Sequence, residues 1–175
     1  MKRPPLPSAR VLRAMLVLLL VVLLLQISLF VVPKGDEPHI ADAVVVLAGP
    51  GLRLEHGERL VDAGFATTLV IMSQTPENCS PDGPRRQICI KPRPSTTRGE
   101  ARALGRLVEL NGWSSVLVVA QNEQVVRARF RVERCLPGGV EVRVVAVRAS
   151  AWESIKRVLY ETVALPKALV LQRSC

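Results

Sequence analysis

The sequence predicts an α/β fold: a three-layer, Rossmann-like domain around a mostly parallel sheet, preceded by one N-terminal transmembrane helix. Three observations lead there. Short apolar runs rich in β-branched residues recur between residues 41 and 147, and such runs read as strands buried on both faces. Longer stretches with apolar residues at helical spacing lie between them, so strand and helix alternate. The first run ends at Gly49-Pro50-Gly51, and an amphipathic segment follows at once. A glycine turn that opens a helix lets backbone approach a ligand, and its unpaired N–H groups and helix dipole favour an anion. The same turn also serves as an ordinary strand-to-helix connection.

Residues 1–13 form a basic flank with Lys2, Arg3, Arg10 and Arg13 and no acidic residue. Residues 14–32 carry no charge and are long enough to cross a bilayer as a helix. The charge asymmetry predicts a cytoplasmic N-terminus and an extracytoplasmic remainder. No small-x-small motif follows at the distance that cleavage needs, which favours an uncleaved signal anchor over a signal peptide. Residues 33–40 read as a short linker that keeps the α/β domain, residues 41–175, close to the cell membrane.

Within the domain, a helix over residues 52–64 follows the first strand, with Leu52, His56, Leu60 and Ala63 on one face. Glu55 and Arg59 can pair across one turn, and Gly64 is a C-terminal cap. His56 reads as a core-edge side chain. Residues 67–73 form the second strand, 74–87 a polar loop, and 88–90 a short strand stopped by Pro92 and Pro94. Thr97 and Glu100 have capping-box spacing for a helix that Asn111 and Gly112 end. Residues 115–120 are a buried strand. Asn122 is the expected cap of a helix with Val125, Ala128, Val132 and Leu136 inward, and residues 140–147 return as a strand. From about Ala151 the chain is helical again, with Pro166 expected to kink or break it.

At 175 residues there is room for one domain of moderate size. The net charge is +9, and setting aside the four basic residues of the flank leaves +5, spread as single arginines. Without a Lys/Arg block or interleaved aromatics this argues against a nucleic-acid partner. It fits anionic lipid head groups or polyanionic wall polymer. All four cysteines lie beyond the apolar segment, and an even count in an oxidising compartment points to disulfides. Three connectivities exist for four cysteines; closeness in sequence favours Cys79–Cys89, leaving Cys135–Cys175. Their spacing fits no common zinc motif, and the only histidines are His39 and His56, so no metal site is expected.

In open α/β sheets ligands collect beyond the carboxyl ends of the strands. Those ends offer Gly49, Gly51 and Arg53, then Ser73, then Thr97, then Gln124 with Arg127. Hydroxyls, an amide, two arginines and a glycine turn suit a phosphate, carboxylate or sugar better than an apolar ligand. Glu123 beside them reads as a solvated first-turn residue. No Gly-x-Ser-x-Gly elbow and no Walker A sequence occurs, so neither catalytic residues nor a cofactor are assigned.

At these residues the chain resembles the YdcF-like family of bacterial α/β domains, often carried on one N-terminal membrane anchor. The resemblance spans roughly residues 41–148. Its parts are the opening strand with its Gly-rich loop, then Arg53-Leu-x-His with Leu60, Gly64 and Ala66 after it. Thr97-Arg-x-Glu100-Ala101 and the strand leading to Arg127-Ala128 complete it. The family pattern has a hydroxyl pair where this chain has Ala120 and Gln121, and a histidine where it has Gln124. Lys91 stands in place of a carboxylate, and Gln74 in place of a glycine. An amide cannot shuttle protons near neutral pH as imidazole does, so residue 124 is no general acid or base. The resemblance implies a role in cell-envelope biogenesis, with the strand ends binding a phosphorylated or acidic envelope ligand such as a glycolipid. The alternative is a non-catalytic envelope scaffold that has lost the site.

Overall fold

The computed structural model describes residues 8–32, 35–48, 52–73, 79, 86–148 and 150–175. Five strands form one sheet: β1 (Ala43–Val46), β2 (Thr68–Met72), β3 (Arg86–Ile90), β4 (Ser115–Gln121) and β5 (Glu141–Val147). Their order is β3-β2-β1-β4-β5 and every pairing is parallel, which is the doubly wound α/β arrangement the alternation predicts. In the register, Val44 of β1 lies beside Leu69 and Leu117, and Val46 beside Ile71 and Val119. All four β1 residues are buried. The alternate residues of β1 face opposite sides, so its uninterrupted run of Ala and Val feeds two cores.

The helices supply the two outer layers. α3 (Thr97–Asn111) and α4 (Val125–Cys135) set Leu104, Val108, Ala128 and Val132 against Val45, Val70 and Val118. On the other face α2 (Leu52–Asp62) contributes Leu60 to a cluster with Val44, Leu69 and Leu117. The buried face of α2 is Arg53, Gly57 and Leu60, not the expected face of Leu52, His56, Leu60 and Ala63, because Leu52 and Ala63 are exposed. The reason is Gly57, where a Cβ would stand 2.3 Å from Val46 Cγ2. The helix rests on the strand through its glycine, and apolar periodicity does not report that contact. The Glu55–Arg59 pair forms at 3.9 Å, and Gly64 ends the turn at φ +83°.

Three further expectations change. Thr96, not Thr97, caps α3 through its hydroxyl, which accepts the Gly99 N–H at 3.2 Å. Residue 99 must be glycine there, since a Cβ would lie 1.9 Å from Pro94 O. Asn122 does not cap α4; residues Asn122–Gln124 form a 3₁₀ turn ahead of it. The last helix, α5 (Ala151–Pro166), runs through to Pro166 and continues as a wider turn over Lys167–Leu171 instead of breaking. Both disulfides pair as proximity suggests, Cys79–Cys89 and Cys135–Cys175.

The N-terminal helix α1 (Ala9–Gln26) is capped by Ser8 and continues in a wider turn over Ile27–Val31. Over Ala9–Val31 it is long and apolar enough to cross a membrane. It ends against α5 and the turn that follows β4: Phe30 is buried and lines a hollow with Leu165 and Pro166, and Asn122 Nδ2 donates to Val31 O at 2.9 Å. The chain then returns along the outer edge of the sheet. The Asp36 N–H donates to Val144 O at 2.8 Å, and its carboxylate accepts the Val144 N–H at 2.7 Å. Arg129 pairs with the same carboxylate at 2.9 Å. Asp42 then ties the start of β1 to the amino end of β4, its carboxylate accepting both N–H and both hydroxyl groups of Ser114 and Ser115 at 2.7 to 3.1 Å. This return path turns the strands' carboxyl ends toward the apolar helix.

Candidate functional site

Arg53 enters the rim from the first turn of α2 and is 1% exposed. Its Nη1 donates to Gln124 Oε1 at 3.0 Å, while Nε and Nη2 have no hydrogen-bond partner among the described residues. Burial and the nearby Arg157 guanidinium bring its pKa down to about 10, against the attraction of Glu100. An arginine this deep with two unpaired donor atoms is uncommon, because an unmet buried donor forfeits its hydration.

Glu100 reaches the rim from α3, where its carboxylate accepts the Ala48 N–H at 2.7 Å. Burial raises its pKa, opposed by the Ala48 hydrogen bond and by Arg53, Arg127 and the Thr97 hydroxyl. It therefore acts as the shared charge between two arginines. Arg127 stands on the far side and is fully engaged: Nε and Nη2 fork onto the Glu161 carboxylate at 2.7 Å each, and Nη1 donates to Thr97 Oγ1 at 2.7 Å. Burial disfavours its charge, but the Glu161 carboxylate outweighs that and raises its pKa. A bidentate, charge-assisted pair of this kind is the strong form of the interaction.

Of the residues expected to form the rim, Arg53 thus meets Gln124, and Thr97 meets Arg127. Glu100 joins the two pairs. Ser73 lies toward β3, with its N–H donating to Ile90 O at 3.0 Å. Gly49 and Gly51 lie outside the described residues. Glu123 is not solvated as expected: it is buried, because the end of α1 and helix α5 cover it. It lines a hollow of about 320 Å³ with Val31, Asn122, Arg148, Ser154 and Val158. Glu123 Oε2, Gln121 Oε1 and Arg157 Nε are likewise buried without a partner among the described residues. Donors and acceptors that the fold leaves unpaired therefore concentrate around one end of β4.

A second hollow of about 390 Å³ lies beyond Arg127, with Arg98, Arg131, Lys167 and Tyr160 in its wall. Its arginines hold the C-terminal segment. Arg131 Nη2 donates to Gln172 Oε1 at 2.8 Å, Arg98 Nη2 to Ser174 Oγ at 2.6 Å, and Arg102 to the Cys175 carbonyl. The Cys135–Cys175 bridge fixes the same segment. Those arginines each engage the C-terminal segment, Arg98 keeping one buried donor, Nε, unpaired among the described residues, whereas Arg53 keeps two.

Glu100, Arg157 and Glu161 escaped the sequence reading. Glu100 was taken as half of a cap, and the other two sit on α5, beyond the last strand. Glu161 carried no signal of its own, since its helix also holds Glu153, Lys156 and Arg157. Among the described residues no cluster of three or more His, Cys, Asp or Glu side chains is placed to hold a metal ion. No protein-family model, curated protein or solved structure matches the chain.

Proposed function

We propose that the protein is a single-pass membrane protein whose α/β domain lies on the extracytoplasmic side and binds a phosphorylated or acidic ligand of the cell envelope at the strand carboxyl ends. The apolar helix of residues Ala9–Val31 and two disulfides support the placement, since such bonds persist in oxidising compartments. One observation carries the ligand class: Arg53 is a buried cation with an amide neighbour and two donor atoms unpaired among the described residues. An oxyanion supplies what that guanidinium lacks, both the acceptors and the charge. The reading as a divergent YdcF-like protein, with a part in envelope biogenesis, belongs to the same proposal and rests on Arg53, Thr97 and Arg127 in their sequence order.

A thermal-shift screen of the whole protein in detergent against inorganic phosphate, pyrophosphate and soluble wall fragments tests it. A ligand at about a hundred times its Kd adds roughly 2.7 kcal/mol, and Arg53→Met removes that gain. A second reading, a non-catalytic scaffold, is favoured by the closed Arg127–Glu161 pair, which neutralises half of the expected anion set from within. A flat screen together with partner capture in the membrane supports the scaffold.

A further inference from the structure

Helix α5 has two unlike sides. One side faces the protein and buries Glu161 and Leu165. The other carries Trp152, Ile155, Leu159 and Val163, which are 55 to 69% exposed. Their spacing of three and four residues puts them on a single face, and Val170 extends the apolar surface past Pro166. An uninterrupted exposed face of this composition is not ordinary surface.

The occupant follows from what α5 stands beside. Thr162 Oγ1 donates to Gln26 Oε1 of α1 at 2.9 Å. Val22, Leu25 and Leu29 of α1 line one hollow together with Leu165 and Pro166 of α5. The second half of α5 is therefore level with the last turns of the apolar helix, and a bilayer crossed by α1 reaches it. Its composition also suits that depth: Trp152 and Tyr160 have apolar bodies and polar edges, and the exposed Lys156 and Lys167 supply the charge that anionic head groups attract. The Lys156 ammonium lies 5.1 Å from the centre of the Trp152 ring, so cation and aromatic form one unit. We infer that α5 is an interfacial helix whose Trp152–Ile155–Leu159–Val163 face lies in the head-group and upper acyl layer of the lipid bilayer. The inference rests on α1 spanning that bilayer and is independent of what the Arg53 rim binds.

The test uses the full chain in nanodiscs of phosphatidylethanolamine and phosphatidylglycerol, with and without brominated acyl chains. Trp113 and Trp152 are the two tryptophans, so Trp113→Phe isolates Trp152 and Trp152→Phe isolates Trp113, which precedes the amino end of β4. Brominated lipid is expected to quench Trp152 at least about twofold, as for an interfacial aromatic, and to leave Trp113 unchanged. The double variant Leu159→Glu/Val163→Glu, at exposed positions, is expected to keep its unfolding temperature and lose the quenching. Quenching of Trp152 no greater than that of Trp113 overturns the inference, as does protection of Trp152 by a second copy cross-linked through α5. A chain that fails to elute with the discs instead overturns the membrane-spanning reading of α1, and the inference with it.

Discussion

Arg127 on α4 and Glu161 on α5 are joined by two parallel hydrogen bonds of 2.7 Å, with side chains 9% and 0% exposed. The pair clamps the last helix over the rim of the sheet. Removing one partner of a buried ion pair strands the other charge away from water. Glu161→Ala is therefore expected to cost about 3–5 kcal/mol, and the double change Arg127→Met/Glu161→Leu considerably less. Chemical unfolding of the three proteins measures this. A loss under about 1 kcal/mol in the single variant would show that the pair holds nothing together.

Arg53 behaves in the opposite way. It is buried and has no ion-pair partner among the described residues, so its charge is a standing cost to the fold. Arg53→Met is expected to leave stability unchanged or raise it by up to about 4 kcal/mol, while abolishing stabilisation by oxyanions. A residue that destabilises the fold yet is needed for binding is a functional residue. If the variant instead unfolds more easily by more than about 2 kcal/mol, Arg53 is structural and the anion rim loses its main support.

Asp36 is a pH-sensitive tie between linker and sheet. Burial alone would raise its pKa, but the Arg129 side chain and the Val144 N–H outweigh that and hold it below 3.8. A carboxyl with a depressed folded pKa contributes stability above its unfolded value and loses it as pH falls through the folded one. Asp36→Asn is accordingly expected to cost about 1–3 kcal/mol at neutral pH. The gap to the parent protein should close as the pH falls below 3.8. A gap constant from neutral to acid pH would refute the electrostatic account.

The two disulfides differ in the chain they close, with sequence separations of 10 and 40 residues. In the chain-entropy description, the longer loop stabilises more by about 1 kcal/mol. Replacing Cys135 and Cys175 by serine should thus lower the unfolding free energy more than replacing Cys79 and Cys89. The reverse order would mean that the polar loop around Cys79 supplies more native structure than its sequence suggests.

The sheet was legible because parallel strands leave a one-dimensional trace: each must be apolar on both faces, and the residues between must be amphipathic. Residues 44–46, 69–71 and 116–119 carry that trace plainly. The face of α2 was not legible, because its closest approach to β1 is made by Gly57, which contributes nothing to a hydrophobic pattern. Half of the rim could be named in advance, since the ends of β1 and β4 bring Arg53 to Gln124 and α3 brings Thr97 to Arg127. Glu100, Arg157 and Glu161 could not. A charged residue on a helix reads as solvated until something far away in sequence covers it, and here the covering comes from α5 and from the end of α1. Glu123 was misread for the same reason.

The Arg127–Glu161 clamp also sets an order of events during synthesis. Chains fold from their amino end as they emerge, and here the apolar helix comes first while Glu161 lies 34 residues after Arg127. Until residue 161 has been added, Arg127 lacks the carboxylate on which its Nε and Nη2 fork, and the part of the roof over Glu123 that α5 supplies is missing. The nascent domain can assemble its sheet but cannot close its rim. Docking of α5 is therefore the step that separates a half-open intermediate from the finished domain, and a chain stalled before it would leave one end of its sheet uncovered.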